Sequence, residues 1–184
     1  MSARTAPVVL FGFMGTGKSA VGEILARRLQ RTYLDSDAEI EREAGAGIPV
    51  IFARQGEAGF RRLETQVITR LAETENAVIA CGGGAVLRPE NLAALRRHGS
   101  IHFVLTAQVD TILARTAGSD RPLLQCPPAE RRQRVEELLA RRAAAYDAAG
   151  LAVPTDGMTA DEVADAIVRL LNGGMSAQAL HATS

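Results

Sequence analysis

Cysteine is scarce in this 184-residue chain: there are two, Cys81 and Cys126. They form neither a CxxC pair nor a metal-ligand cluster, which argues against a zinc module or a disulfide scaffold and suits a reducing compartment. Net charge is absent as well. Twenty-one Lys and Arg face 21 Asp and Glu, so no overall field draws the chain to nucleic acid or to anionic lipid. Any anionic ligand has to be captured by cations placed locally. Long hydrophobic runs are missing too. The apolar stretch Val8–Phe11 follows a single cation, Arg4, and is cut by Gly12, too short for a signal peptide or a membrane span. No internal repeat or low-complexity tract occurs. These absences lead to the expectation of a cytoplasmic monomer whose partners are neither nucleic acid nor membrane.

What is present has the balance of an ordinary globule, 47% apolar and 23% charged. The length suits one domain, 1–172, followed by a tail, 173–184, with no chemistry of its own. Short apolar runs alternate with helical periodicity, the pattern of an α/β fold with a parallel sheet. Five strands are expected: Val8–Phe11, Thr32–Asp35, Ala77–Ala80, Ser100–Leu105 and Leu151–Pro154. Helices are expected over Lys18–Gln30, Glu57–Glu73, Glu90–His98, Gln108–Thr116, Glu130–Ala149 and Asp161–Leu171. The crossover between the second and third strands, about 37–76, is long and punctuated by Gly45, Gly47, Pro49, Gly56 and Gly59. It reads as two or three helical pieces holding a second substrate. Another irregular stretch, about 117–129, carries Gly118, Pro122, Pro127 and Pro128 and has the length of a lid.

Gly12-Phe13-Met14-Gly15-Thr16-Gly17-Lys18-Ser19 matches GxxxxGK[ST] between a strand and a helix, the context that a phosphate-binding P-loop requires. Its glycines let backbone N–H groups turn toward a phosphate. Lys18 supplies a point charge there, and the Ser19 hydroxyl is placed for Mg²⁺. Gly15, Thr16, Gly17, Lys18, Ser19 and Ala20 are therefore the candidate ATP-binding residues. Asp35-Ser36-Asp37 ends the second strand at the carboxyl edge, where ligands of open α/β sheets bind. No Asp closes the third strand, which turns the metal-side role toward Asp35. Asp37 either reaches an acceptor hydroxyl or caps a helix beginning at Ala38. Gly82-Gly83-Gly84 either admits a ligand closely or is simply a permissive turn.

Several arginines fall where apolar residues belong. Phe60, Leu63, Val67, Ile68 and Leu71 share one helical arc, with Glu64 inside it and Arg61 at its edge. The two either pair at the surface or serve a site. In the later helix Arg142 sits at the centre of the face made by Val135, Leu138, Leu139 and Tyr146. An arginine there must find an anion, either a protein carboxylate or the carboxylate of a substrate. Arg121, in the lid stretch, either neutralises a transferring phosphoryl group or is a solvated loop residue. Arg115 is a candidate to stack on adenine. His98 and His102 have no partner at ligand spacing and read as structural or surface residues.

In this order, GFMGTGKS, the Asp35-Ser36-Asp37 triad, Gly59-Phe60-Arg61 with Glu64, the triple glycine 82–84, Arg121-Pro122-Leu123-Leu124, and Arg142 four residues before Tyr146 resemble the shikimate kinases, from about Val8 to Leu171. The resemblance implies a P-loop kinase fold with a substrate-binding helical excursion and a lid. It implies MgATP-dependent phosphorylation of the shikimate 3-hydroxyl, in aromatic amino-acid biosynthesis. It further implies that Asp37 binds the ring hydroxyls and acts with Lys18 and Arg121 in catalysis, and that Arg61 and Arg142 hold the carboxylate. Gly82, Gly83 and Gly84 would contact shikimate, Glu64 would position Arg61, and Phe52 and Phe60 would wall the pocket. Ser19 and Asp35 would handle Mg²⁺. The chain departs from the family pattern at Ala20, at Ala143–Ala145 and most clearly at Thr155-Asp156-Gly157-Met158, where the adenine contacts and Met158's part in them stay open. Two other functions remain: a kinase of another small acid, of the gluconate type, and a non-catalytic ATP-binding regulator.

Overall fold

The computed structural model describes residues 6–118, 122–124 and 126–173. Arg121 and nearly all of the tail therefore lie outside the described residues. Five parallel strands, β1 (Val8–Gly12), β2 (Thr32–Asp35), β3 (Ala77–Ala80), β4 (Ile101–Thr106) and β5 (Leu151–Pro154), line up in the order β2-β3-β1-β4-β5. β1 is central because it can be: all five of its residues are buried, as a strand covered on both faces must be. Its register against β4 pairs Leu10 with Phe103 and Gly12 with Leu105.

Alternation along the strands divides the core into two layers. Val9, Phe11, Ile79 and Val104 face one side, with Ile68, Leu95 and Leu138 from the helices there. Val8, Leu10, Val78 and Phe103 face the other, with Leu25 and Ile167. The first side holds α3 (Ile48–Leu71), α4 (Pro89–Arg97) and α6 (Arg131–Ala149), and the second α1 (Lys18–Leu29) and α7 (Ala160–Asn172). Between them run α2 (Ser36–Ala44), α5 (Val109–Thr116) and single helical turns at Ala85–Leu87, Pro122–Leu124 and Pro128–Glu130. No described helix is long and apolar enough to cross a membrane.

The long crossover is in three pieces, as its punctuation suggests: α2 and the two halves of α3, which part at Gly56 so that the second half runs from Glu57 as expected. α3 begins at Ile48, with Pro49 in its first turn, and bends at Gly56 (φ 67°, ψ 180°). Proline in a first turn gives up an N–H that has no intrahelical partner anyway. Gly56 takes a conformation barred to side chains and outside the helical region, so it ends the first half and starts the second in a new direction. The kink aims the second half, with Arg61 and Glu64, back over the sheet edge. α7 carries a full capping box, Thr159 with Glu162. β4 begins at Ile101 and not at Ser100, whose hydroxyl turns aside to the Leu95 carbonyl oxygen at 2.8 Å.

Candidate active site

Three glycines shape the phosphate loop between β1 and α1. Gly12, Gly15 and Gly17 have φ of 146°, 82° and 94°, values that favour glycine. A Cβ on Gly12 would also collide with the Leu105 carbonyl and lie 2.7 Å from Thr16 Oγ1. Gly17 caps α1 without a side-chain acceptor, so the first-turn N–H groups and the positive end of the helix stay available to an anion. The Lys18 ammonium donates to Gly12 O and Phe13 O, both at 2.9 Å.

Asp35 connects this loop to α2. Its Oδ2 accepts from Ser19 Oγ and from Tyr33 Oη, each at 3.1 Å. Its Oδ1 accepts from the backbone N–H of Asp37 at 2.9 Å and of Ala38 at 3.4 Å. Asp35 is therefore the N-cap of a helix that starts at Ser36, which corrects the alternative of Asp37 capping a helix from Ala38. The strand has already ended, so extended-chain alternation does not set the direction of Asp37. Tyr33 beside it is held well above the usual phenol range by burial and by the Asp35 charge.

Opposite, the triple glycine is a seat for charged side chains. A Cβ on Gly82 would stand 2.6 Å from Asp37 Oδ1 and 3.0 Å from Glu64 Oε1. One on Gly84 would fall inside the Arg61 guanidinium. The permissive-turn reading is thus incomplete, since Gly82 and Gly84 lack side chains where these groups need the room. Arg61 and Glu64 do pair, at 2.8 Å, but not at the surface: they are 7% and 0% exposed. Glu57 adds a second carboxylate at 3.2 Å. Burial pulls the Arg61 guanidinium down, and Glu64 and Glu57 more than reverse it. Glu64 is pushed above the usual carboxylate range by burial, which Arg61 only partly offsets. Its Oε1 is buried without a hydrogen-bond partner among the described residues.

Arg142 reaches the same place from α6 and is 3% exposed. Among the described residues no carboxylate pairs with it. Its guanidinium donates to Gly83 O at 3.0 Å and lies over Phe13, 5.5 Å from the ring centroid. A carbonyl and an aromatic face satisfy it only in part, leaving its charge open to an anionic ligand. The Tyr146 hydroxyl donates to the same Gly83 oxygen at 2.6 Å, and burial pushes it up to about 12. Phe60 lies under Arg61 at 5.2 Å and packs on Phe52 at 4.7 Å between centroids.

These groups enclose two adjoining cavities. One, of about 240 Å³, is lined by Asp37, Phe52, Phe60, Arg61, Glu64, the three glycines and Arg142. The other, about 450 Å³, is lined by Gly15, Gly17, Lys18, Ser19, Ala20, Asp35 and Arg115. Met14, Lys18, Asp37 and Glu41 line both. A third hollow of about 250 Å³ lies beyond α1, among Thr16, Gly17, Ala20, Arg115, Thr155 and Met158. Arg115 donates to Gly15 O at 3.3 Å and to Thr155 O and Oγ1 at 3.0 Å, tying the P-loop to the loop after β5. His102, in contrast, sits in the core between Ser100 Oγ and Ala149 O, a structural residue. Cys81 and Cys126 are free thiols.

Sequence reasoning missed several participants. Ser36, fully buried, accepts from the Gly82 N–H at 2.9 Å. Phe13 and Tyr146 support Arg142 and Gly83. Met14, Glu41, Ile48, Pro49 and Leu123 complete the walls. Glu41 also binds the Ile48 N–H at 2.8 Å and so holds the start of α3. Only the neighbourhood of Tyr146 and Phe13 to known motif residues could have flagged them.

The family model for shikimate kinase matches residues 14–172. The chain belongs to the shikimate kinase family. It is 53% identical over 127 residues to the shikimate kinase of Burkholderia lata, covering 68% of this chain and 69% of that one. It is 42% identical over 165 residues to the shikimate kinase of Pelotomaculum thermopropionicum, covering 89% and 94%. Among solved structures, the shikimate kinase from Acinetobacter baumannii in complex with shikimate superposes with a TM-score of 0.88 at 37% identity, covering 94% of this chain and 96% of that one. Every candidate residue from Gly15 to Arg142 lies inside the segment matched to the shikimate kinase family.

Proposed function

We propose that this chain transfers the γ-phosphoryl group of MgATP to the 3-hydroxyl of shikimate, giving shikimate 3-phosphate and ADP for aromatic amino-acid biosynthesis. The observation that carries this reading is the shared wall of the two cavities. Lys18 and Asp37 line both, so a phosphate bound at the loop and a hydroxyl bound beside Asp37 face each other across it.

Each described residue has a task that its surroundings support. Arg61 and Arg142 seat the acceptor carboxylate, for both are buried cations facing one cavity. Gly83 contributes its backbone, and Phe52 and Phe60 pack the ring. Asp37 orients the attacking hydroxyl and takes its proton. The phosphate-loop amides and Lys18 gather charge on the transferring group, and Arg121 adds to it from the lid stretch. Phosphoryl transfer asks little covalent chemistry of a protein, so positioning and charge neutralisation are the means. Ser19 Oγ and Asp35 Oδ2, 3.1 Å apart, fit Mg²⁺, which takes one or two protein oxygens and fills its shell with phosphate and water. When bound, the ion supplies charge neutralisation on the β- and γ-phosphates. The adenine occupies the hollow beside Arg115, with Met158 in its wall.

Residues 1–172 form the catalytic unit, with the acceptor site on 37–76 and the lid on 117–129. A cytoplasmic monomer suits two unpaired thiols and exposed large apolar side chains as scattered as Val50, Leu87 and Leu170. ADP release measured with shikimate, quinate and gluconate tests the assignment. Release strongest with shikimate supports it, preference for gluconate sends the chain to the sugar-acid kinases, and binding without acceptor-dependent release makes it a regulator.

A further inference from the structure

The hollow that takes the nucleotide base is, among the described residues, poor in side chains able to read one. Its polar side chains are turned inward onto main-chain oxygens. Thr16 Oγ1 donates to Phe13 O at 2.8 Å, and Thr155 Oγ1 to Thr106 O at 3.0 Å. The Arg115 guanidinium spends one edge on Gly15 O, Thr155 Oγ1 and Thr155 O. The main chain of Thr155 is spent too: its N–H donates to Thr106 O at 2.9 Å, and its carbonyl accepts from Arg115 and from Met158 N. Among the described residues Gly17, Ala20, Val21, Met158, Ala160 and Val163 supply the remaining lining, and none of them has a side chain with a conventional hydrogen-bonding group.

Fixation extends to the next residue of the loop. Asp156 Oδ1 accepts from the Gln108 N–H at 2.9 Å and from the Thr111 hydroxyl at 2.6 Å, so the carboxylate faces α5. The loop after β5 is thereby stapled to both ends of α5, by Asp156 at the first turn and by Arg115 at the last. A guanidinium gripped along an edge still presents its face, and stacking on that face is open to every base because every base has a π-surface.

Adenine and guanine differ at their edges: adenine carries an acceptor and a donor where guanine carries a donor and an acceptor, and hypoxanthine repeats guanine without the 2-amino group. Telling them apart by thousands-fold requires a buried polar group that the wrong base leaves unpaired, whereas apolar walls discriminate weakly. We propose that this site reads the purine by its faces and not by its edges, so that guanosine and inosine triphosphates serve as phosphoryl donors nearly as well as ATP. The inference rests on the placement of the base given above. The transfer is unchanged: the bond from the γ-phosphorus to its bridging oxygen breaks, a P–O bond forms to the acceptor hydroxyl, the nucleoside diphosphate leaves, and the hydroxyl proton passes to Asp37.

The test needs no acceptor. Dissociation constants of ADP, GDP and IDP, measured calorimetrically on the full chain with Mg²⁺, are expected to agree within about tenfold, the scale of weak apolar discrimination. A larger gap between ADP and GDP overturns the inference. Met158→Ala is expected to weaken all three by a common factor, and a loss confined to one base would contradict face-only reading. Turnover of shikimate with MgGTP completes the comparison. Turnover with MgATP but not with MgGTP overturns the inference, whereas equal binding of the three diphosphates with no turnover from any triphosphate places the failure in the acceptor assignment and leaves face-only reading of the base intact.

Discussion

The guanidinium of Arg61 fills the space that a side chain on Gly84 would need. With φ at −103°, Gly84 has no conformational need to be glycine. Its constraint is contact with a buried cation that Glu64 and Glu57 hold, and that yields only by loosening those ion pairs. Gly84→Ala should therefore displace Arg61 and raise the KM for shikimate about ten- to hundredfold, the 1.5–3 kcal/mol typical of hydrogen bonds to charged groups. MgADP affinity, measured calorimetrically, should stay as in the parent.

Asp37 stands on the wall between the cavities, and a carboxamide there can still accept a hydrogen bond but cannot take a proton. Asp37→Asn is expected to lower kcat by about 10²–10⁴, the range of a lost general base, while nucleotide affinity changes little. Turnover close to the parent would remove Asp37 from the chemistry.

Arg142 and Tyr146 both donate to Gly83 O, yet only Arg142 brings charge. Arg142→Ala should raise the KM for shikimate about tenfold or more, as loss of a charge-assisted contact does, with the KM for ATP nearly constant. Tyr146→Phe leaves Gly83 O one donor and should cost only about 1 kcal/mol of unfolding stability, a neutral hydrogen bond. Chemical denaturation of Tyr146→Phe and steady-state kinetics of Arg142→Ala separate the two roles.

His102 gives the fold a pH-sensitive point. Burial holds its imidazole below its ordinary value of 6.5, with Arg96 adding to the effect and the Ala149 carbonyl opposing it. The unfolded chain takes up a proton as the pH falls through 6.5, and the folded chain resists it until lower pH. Stability should accordingly fall below pH 6.5 and level off once the folded group also titrates. Urea midpoints across that window should be flatter for His102→Gln than for the parent, and parallel curves would contradict the assignment.

Much of this was legible in the sequence because it rests on local rules. Strand runs and turn glycines gave five parallel strands, and GFMGTGKS carries its own context. An arginine at the centre of an apolar face marked Arg142 because burial of charge is costly. Gly56 was legible as a break between helical pieces, whereas Pro49 was not legible as the first turn of one, because proline stops a helix in most other settings. Asp35 and Asp37 could not be sorted because the end of a strand is fixed by pairing with β3, which spacing does not show. Ser36 and Tyr146 escaped because their roles are to hold backbone groups of the distant 82–84 turn. No local pattern encodes a contact between residues 36 and 82.

Acceptor-dependent ADP release bears most directly on the central claim. With purified chain, Mg²⁺ and ATP, the account expects rapid release on adding shikimate, formation of shikimate 3-phosphate in equal amount, and far slower release with quinate or gluconate. Nucleotide binding with no shikimate-dependent release, or equal rates for all three acids, would contradict it.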